Sequence, residues 1–180
     1  AINNSQGIYY YYNAQNGHIE NNLIENNSMY GINFGNGVDN TVVVKNIVRG
    51  NNIGMNLMAN NLTVSENQVI GNNYGINPWG ILNKIYKNNM IDNNIQSLDS
   101  GNSTGWDLNS IGNYWNDYDE VSEGCVDSDL NDICDSPYII DADSRDDYTF
   151  TSQDGWNSGT IVCSLDSDCE IGFTEGEIYC

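Results

Sequence analysis

The chain has 180 residues, with 25 acidic side chains against five basic ones and a formal net charge of −20. That balance excludes nucleic acid as a partner, because phosphate recognition needs clustered Lys and Arg. No apolar run approaches the ~20 residues that cross a bilayer as a helix, so no membrane span is expected.

The chain opens at Ala1, without an initiating Met and already inside a repeating pattern, so a removed leader or an excised piece of a longer protein is expected. The pattern has two columns. One is an asparagine, Asn22, Asn46, Asn67 and Asn89, preceded at three residues by Ile19, Val43, Val64 and Tyr86 and followed at two by Ile24, Val48, Val69 and Ile91, with steps of 24, 21 and 22 residues. The other is Gly7, Gly31, Gly54, Gly75 and Ser97, each before Ile, Met or Leu, with steps of 24, 23, 21 and 22. Columns in phase define a repeat of about 22 residues, a period shared by leucine-rich repeats and parallel β-helices. No leucine pattern and no helix-length amphipathic run is present. Short bursts of Ile, Val, Tyr and Met broken by Asn and Gly read as short strands joined by tight corners. Asparagine tolerates left-handed backbone, and its amide both donates and accepts, so asparagines stacked at one corner ~4.8 Å apart can bond along the axis as a ladder. The predicted fold is all-β: a short right-handed parallel β-helix of about five coils over residues 1–105, followed by an acidic, disulfide-containing cap.

In the first coil Tyr9, Tyr10, Tyr11 and Tyr12 place rings on both faces of a strand. Outward rings there can meet sugar or a neighbouring subunit, or can reflect plain β-propensity. Gly35-Asn36-Gly37 lengthens the second coil, and Asn77-Pro78-Trp79-Gly80 puts a Trp beside a corner of the fourth. The fifth coil looks degenerate, with Ser97 in the glycine's place and a polar loop up to Gly105, as terminal solenoid repeats usually are.

From Trp106 the Asn repeat stops, acidic residues crowd in, and all five cysteines follow. The run Gly112-Asn113-Tyr114-Trp115-Asn116-Asp117-Tyr118, and the segment from Asp127 to Tyr138, together with the Asn/Gly/Ile coils, resemble the NosD-like class of carbohydrate-binding and sugar-hydrolase right-handed parallel β-helices. The likeness is to the variant common in archaeal secreted and cell-surface proteins. It covers roughly residues 1–148, and it departs from the pattern at Leu130 and at Ile133-Cys134, where the family usually has glycines.

Two further segments are expected, an acidic cap over 106–148 and a cysteine-containing tail over 149–180. In the cap, Asp127, Asp129 and Asn131 at alternate positions, with Asp135 beyond, set oxygen ligands where Ca²⁺ can collect them. The loop is similar to dockerin and thrombospondin type 3 calcium loops but has Asp132 in place of their central Gly. The bland alternative is a solvated acidic loop tied by a Cys125–Cys134 disulfide. Cys125, Cys134, Cys163, Cys169 and Cys180 argue for disulfides in an oxidising compartment, with one cysteine left over and Cys180 the candidate. Sequons at Asn3, Asn26, Asn61 and Asn102 fit a secreted or cell-surface glycoprotein.

The coil carboxylates form no adjacent pair suited to glycoside hydrolysis, and the single His18 sits in a turn, so a catalytic centre is not expected. A copper role, for which the resembling family is named, has one His and the scattered Met29, Met55, Met58 and Met90 behind it. The expected role is a non-catalytic extracellular scaffold that self-assembles into a homo-oligomer or polymer of a surface layer, sheath or filament through β-edges, calcium and disulfides. The competing reading is a carbohydrate-binding module with Tyr9, Tyr11, Trp79 and Trp115 as glycan platforms, or a polysaccharide-active enzyme on the same fold.

Overall fold

The computed structural model describes residues 1–101 and 104–157, and the backbone of two short strands beyond them. Fourteen strands wind a parallel β-solenoid. The first turn carries β1 (Gln6–Tyr10), β2 (His18–Glu20) and β3 (Leu23–Glu25), and the second β4 (Tyr30–Phe34), β5 (Val42–Val44) and β6 (Ile47–Arg49). The third carries β7 (Ile53–Leu57), β8 (Thr63–Ser65) and β9 (Gln68–Ile70), and the fourth β10 (Tyr74–Pro78), β11 (Lys84–Tyr86) and β12 (Asn89–Ile91). The fifth turn has β13 (Ile95–Ser97) and β14 (Tyr114–Trp115). The three faces are the sheets β1-β4-β7-β10-β13, β2-β5-β8-β11 and β3-β6-β9-β12-β14, with parallel pairing throughout. No α-helix is present among the described residues.

The first sheet buries two stacked columns, Ile32, Met55 and Ile76 beside Phe34 and Leu57, and the other two sheets bury one each. Ile19, Val43, Val64 and Ile85 pair in register on the second sheet, and Ile24, Val48, Val69, Met90 and Trp115 on the third. All nine lie in the core. Removing such side chains from water stabilises the stack by about 1.5–3 kcal/mol each. Branched aliphatics suit the role because their stiff side chains stand well on a pleated surface and pack on like neighbours one rung away.

Three corners join the faces, and each turns on one residue in the left-handed region. The corner before the third sheet uses Asn21, Lys45, Glu66 and Lys87, the next Asn26, Gly50, Gly71 and Asp92, and the corner before the second sheet Asn16, Asn40, Asn61 and Leu82. The residue that follows each, apart from Gly17, turns its side chain inward, and at two corners it builds a ladder. Asn22 donates its backbone N–H and Nδ2 to Oδ1 of Asn46, Asn46 does the same to Asn67, Asn67 to Asn88, and Asn88 to Asn113. The partners are 24, 21, 21 and 25 residues apart. A second ladder runs from Asn27 through Asn51 and Asn72 to Asn93.

The expected ladder is therefore corrected at its fourth rung. Asn88, not Asn89, stacks under Asn67, because the corner turns at Lys87 and the next residue is the one that points in. Asn89 is β12's first residue, and its amide instead exchanges hydrogen bonds with Asp154 at 2.8 and 3.0 Å. The inward columns shift with it, to Ile85 and Met90 in place of Tyr86 and Ile91.

The glycine column is also corrected at its last member. Ser97 pairs with Ile76, so Gln96 stands where Gly75 stood. A Cβ at Gly7, Gly31, Gly54 or Gly75 would lie 2.3–2.6 Å from a carbonyl oxygen of the next turn. β13 is the last strand of that sheet, so no carbonyl follows it and a side chain fits. Gln96 uses the freedom to end the second ladder, accepting from Asn93 Nδ2 at 2.8 Å and donating to Asn116 Oδ1 at 2.6 Å.

Parallel pairing continues past Gly105, which itself bridges to Lys84. Beneath β14 a further partial rung forms. Gly112 N–H donates to Tyr148 O at 3.1 Å, Phe150 N–H donates to Asn113 O at 2.9 Å, and Tyr114 bridges Phe150 in parallel. The acidic segment leaves this base and returns to it, pairing β15 (Tyr138–Ile139) antiparallel to β16 (Arg145–Asp146). Beyond a 3₁₀ turn at Gly155–Asn157, β17 (Gly172–Thr174) pairs antiparallel with β18 (Glu177–Tyr179). Cys163, Cys169 and Cys180, and the sequon at Asn102, lie outside the described residues.

Candidate functional site

The acidic loop is closed by a disulfide and hangs from the solenoid's base by backbone ties. Cys125 and Cys134 form a disulfide with Cα atoms 4.9 Å apart, Cys134 N–H donates to Thr149 O at 2.9 Å, and Ile133 bridges Phe150. Within the loop, carboxylate oxygens of Asp127, Asp129 and Asp135 come within 4.8 Å of one another. Asp127 accepts the backbone N–H groups of Asn131 and Asp132 at 3.1 and 3.0 Å. Asp135 accepts the N–H of Ser128 at 3.1 Å and is also held by the Ser128 hydroxyl. Asn131 donates its Nδ2 to Asp129 at 3.1 Å, while its Oδ1 accepts the N–H of Ile133 at 2.8 Å. The three expected carboxylates thus converge, and the fourth expected ligand, Asn131, is bonded among its neighbours.

Leu130 and Asp132 hold φ of +58° and +66°. A turn that glycine forms without cost is made here by L-residues, at roughly 1–2 kcal/mol each. Of the positions where the chain departs from the glycine pattern, Leu130 thus holds left-handed backbone. Crowded carboxylates repel at close range unless protons or cations intervene, and a donor set made only of hard oxygens suits Ca²⁺.

At the opposite end of this cap lies a residue that sequence reasoning missed. Asp146 is fully buried, and one oxygen, Oδ2, accepts from Asn113 N–H at 2.7 Å, Asn113 Nδ2 at 3.0 Å and Trp115 Nε1 at 3.0 Å. Its other oxygen accepts the N–H of Tyr148 at 3.1 Å. Burial pushes its carboxyl up to about 7, and the donors from Trp115, Asn113 and Tyr148 oppose the rise. A Cβ on Gly112 would meet its Oδ1 at 2.0 Å, so that position excludes a side chain. In sequence Asp146 is one carboxylate in an acidic run, and nothing local separates it from its neighbours.

The four residues expected to meet sugar or subunits divide. Tyr9, Tyr11 and Trp79 are exposed at 47, 69 and 51%. Trp115 is corrected. It is fully buried, stacks on Tyr138 with ring centroids 4.2 Å apart, and packs on Trp106 at 5.6 Å. As the inward residue of β14 it closes the core column under Met90, so no glycan reaches it. The sequon residues Asn3, Asn26 and Asn61 are exposed at left-handed positions. The coil carboxylates are dispersed into local contacts, Glu25 with Arg49 at 2.6 Å, Glu66 with Lys45 at 3.7 Å and Glu20 with His18 at 3.0 Å. Asp92 is a corner residue, and Arg49, Ile70 and Ile91 continue the register of Glu25.

A family model described as periplasmic copper-binding protein (NosD) matches residues 1–120. The chain belongs to the NosD family. The match spans the whole solenoid of this NosD protein and ends ahead of the acidic loop. No curated protein and no solved structure matches the chain.

The soft donors that the copper of the family's description would need are dispersed. Met55 and Met90 are fully buried in the core, and His18 Nε2 is engaged by Glu20. Met29 and Met58 are exposed, but Met29 precedes β4 and Met58 follows β7, at opposite ends of the first sheet. Soft donors do not converge among the described residues, and copper does not fit them.

Proposed function

We propose that this NosD protein is a non-catalytic structural unit that works outside the cytoplasm, in the extracellular or surface space where its disulfide persists. The observation that carries the reading is the continuity of the two amide ladders. They run the length of the solenoid and consume buried polar groups on axial cohesion, while the coil carboxylates are spread into separate ion pairs. A parallel β-solenoid adds rungs by the same pairing that holds its own rungs together, so the rim formed by β1, β2 and residues 1–3, which already pair on β3, accepts a further strand layer of matching register. Copies join through such rims, with Ca²⁺ at Asp127, Asp129 and Asp135 neutralising the acidic caps where they approach.

The family description as periplasmic and the absence, among the described residues, of a helix long and apolar enough to cross a membrane support an address outside the cytoplasm. Electron microscopy and light scattering of the purified protein, with and without a calcium chelator and a thiol reductant, test the role. Ordered polymers that shorten on chelation or reduction are the expected result. A monodisperse monomer under every condition overturns it.

A further inference from the structure

One side of the solenoid is almost without charge. The first sheet and the connections that lead from it to the second, residues 6–17, 30–41, 53–62, 74–83 and 95–98, hold one of the chain's 25 acidic side chains, Asp39, and none of its five basic ones. Asp39 is half-buried and accepts the N–H of Asn60 at 3.0 Å. In place of charge this side presents Tyr9, Tyr11, Met58, Trp79, Ile81 and Leu82, all exposed. Five rungs at the sheet spacing by five residues of strand make roughly 400 Å². With the connections the side reaches about 800 Å², the area that one partner contributes to a standard interface.

Leu82 is a second, independent sign. It holds left-handed backbone at φ +60° while 58% exposed, where the equivalent corners use Asn16, Asn40 and Asn61. A leucine there strains the backbone and leaves most of its side chain in water, so neither effect favours it within its own chain. Cover by an apolar partner offsets both.

The shape of this side fits a copy of itself. The strand pairings place Tyr11, Gly35, Met58 and Trp79 in one axial column, one to a rung. A two-fold axis lying in this side, across the solenoid between the second and third rungs, sets Tyr11 against Trp79 of a second copy and Gly35 against its Met58. Rings then meet at the ends, and each thioether enters the gap that the other copy's glycine leaves. The chain's own fold does not require that gap: Gly35 is not left-handed, and a Cβ there would lie no closer than 3.4 Å to its nearest neighbour, the Tyr9 hydroxyl. Charge selects the same occupant. A partner of opposite sign is drawn to the acidic sides and cap, whereas a second chain of charge −20 approaches closely only where carboxylates are absent.

We propose that this side is a two-fold interface between copies of the chain, which dock antiparallel through the first sheet and its connections. The contact is lateral. It shares with the proposed function the premise that copies associate, and it does not depend on their joining end to end through the rims.

Sedimentation velocity on chelator-treated protein, in which end-to-end polymers shorten, isolates the lateral contact. Dimers with Kd in the micromolar range or tighter are expected, and added NaCl should strengthen them by screening the mutual repulsion. Trp79→Asp should weaken the dimer about ten-fold or more, while Ile47→Asp, on the exposed face of the third sheet, should leave it unchanged. Leu82→Asn separates interface from fold: in protein diluted below Kd its denaturant midpoint should rise, and its dimer should weaken several-fold. Tyr11→Cys and Trp79→Cys proteins should crosslink when mixed and much less when apart, as the antiparallel register requires. A monomer at every concentration, whether free or captured by phosphatidylcholine vesicles or neutral hexaoses, overturns the proposal. So does a dimer indifferent to Trp79→Asp and Leu82→Asn, equal loss with Ile47→Asp, crosslinking without preference for the mixture, or a glycan on Asn61, which lies on this side. Dimers that persist in a protein forming no calcium-dependent polymer overturn the end-to-end reading instead.

Discussion

Asn113 and Asp146 end the longer ladder together: both nitrogens of Asn113, backbone and side chain, donate to a single oxygen of Asp146 at 2.7 and 3.0 Å. Every rung above passes its donors to an amide oxygen one turn on, and the last passes them to a carboxylate. The column needs an acceptor at its foot and a carboxylate supplies one, at the cost of burying an acid.

That acid sets a pH dependence. In the unfolded chain its carboxyl has the ordinary value of 3.8, and burial in the folded protein pushes it up to about 7. Between those values the folded state holds a proton that the unfolded state has released, so stability is expected to rise as pH falls from about 7 towards 4. Relief of the molecule's negative charge acts in the same direction, so the contrast is between proteins: Asp146→Asn, which keeps one acceptor and never ionises, should flatten the curve. A melting temperature whose pH slope is unchanged by Asp146→Asn would show that the residue does not titrate in this range.

The ladders should be costly to break from within and cheap to break from outside. Asn67→Ala removes the acceptor for Asn46 N–H and the side-chain donor to the carbonyls of Val43 and Ser65, while Asn46 Nδ2 keeps the carbonyls of Ile19 and Val44 and Ser65 O keeps the N–H of Lys45. An orphaned buried group costs about 1–3 kcal/mol, so a loss in that range is expected in chemical denaturation. Asn73→Ala, in the exposed row Asn52, Asn73 and Asn94, should stay within about 0.5 kcal/mol of the parent.

Leu82 carries a φ of +60° where Asn16, Asn40 and Asn61 occupy the equivalent corners. A leucine in left-handed backbone costs roughly 1–2 kcal/mol that asparagine or glycine largely avoids. Leu82→Asn should therefore raise stability by about 1 kcal/mol, read as an upward shift in the denaturant midpoint. A neutral or destabilising result would mean that the apolar contacts of Leu82 outweigh the backbone strain.

Calcium is expected to stabilise the cap. Ca²⁺ added to chelator-treated protein should raise the melting temperature, by an amount corresponding to about 2.7 kcal/mol at a hundred-fold excess over Kd. Replacing Asp127, Asp129 and Asp135 together by Asn should abolish the response and itself relieve repulsion in the metal-free protein. A melting temperature indifferent to Ca²⁺ would make the loop a solvated one held by Cys125–Cys134.

The repeat was legible in the chain because its columns carry distinct chemistry: Gly7, Gly31, Gly54 and Gly75 must be bare, and Ile19, Val43 and Val64 must be apolar. The slip at the fourth turn had a different origin. Asn88 and Asn89 are adjacent and chemically identical, so spacing alone is satisfied by either, and the left-handed Lys87 that decides between them is a residue type without a corner preference. The true steps of 24, 21 and 21 are kept by all three corners, a regularity that would have flagged the 22-residue step. Trp115 was misread for a related reason. Its aromatic neighbours Tyr114 and Tyr118 give no sign of which ring faces in.

By itself the sequence determined the solenoid, its sheet-forming columns, the convergence of acidic oxygens in one short loop and the expectation of a disulfide there, since each rests on local spacing or composition. Tertiary structure decided which amide of a pair enters the ladder, that Trp115 seals the core and that Asp146 anchors its foot. Those outcomes depend on how far one turn lies above the next and on which chain segment returns beneath the last, and a contact between residues 33 apart leaves no trace in the pattern of either.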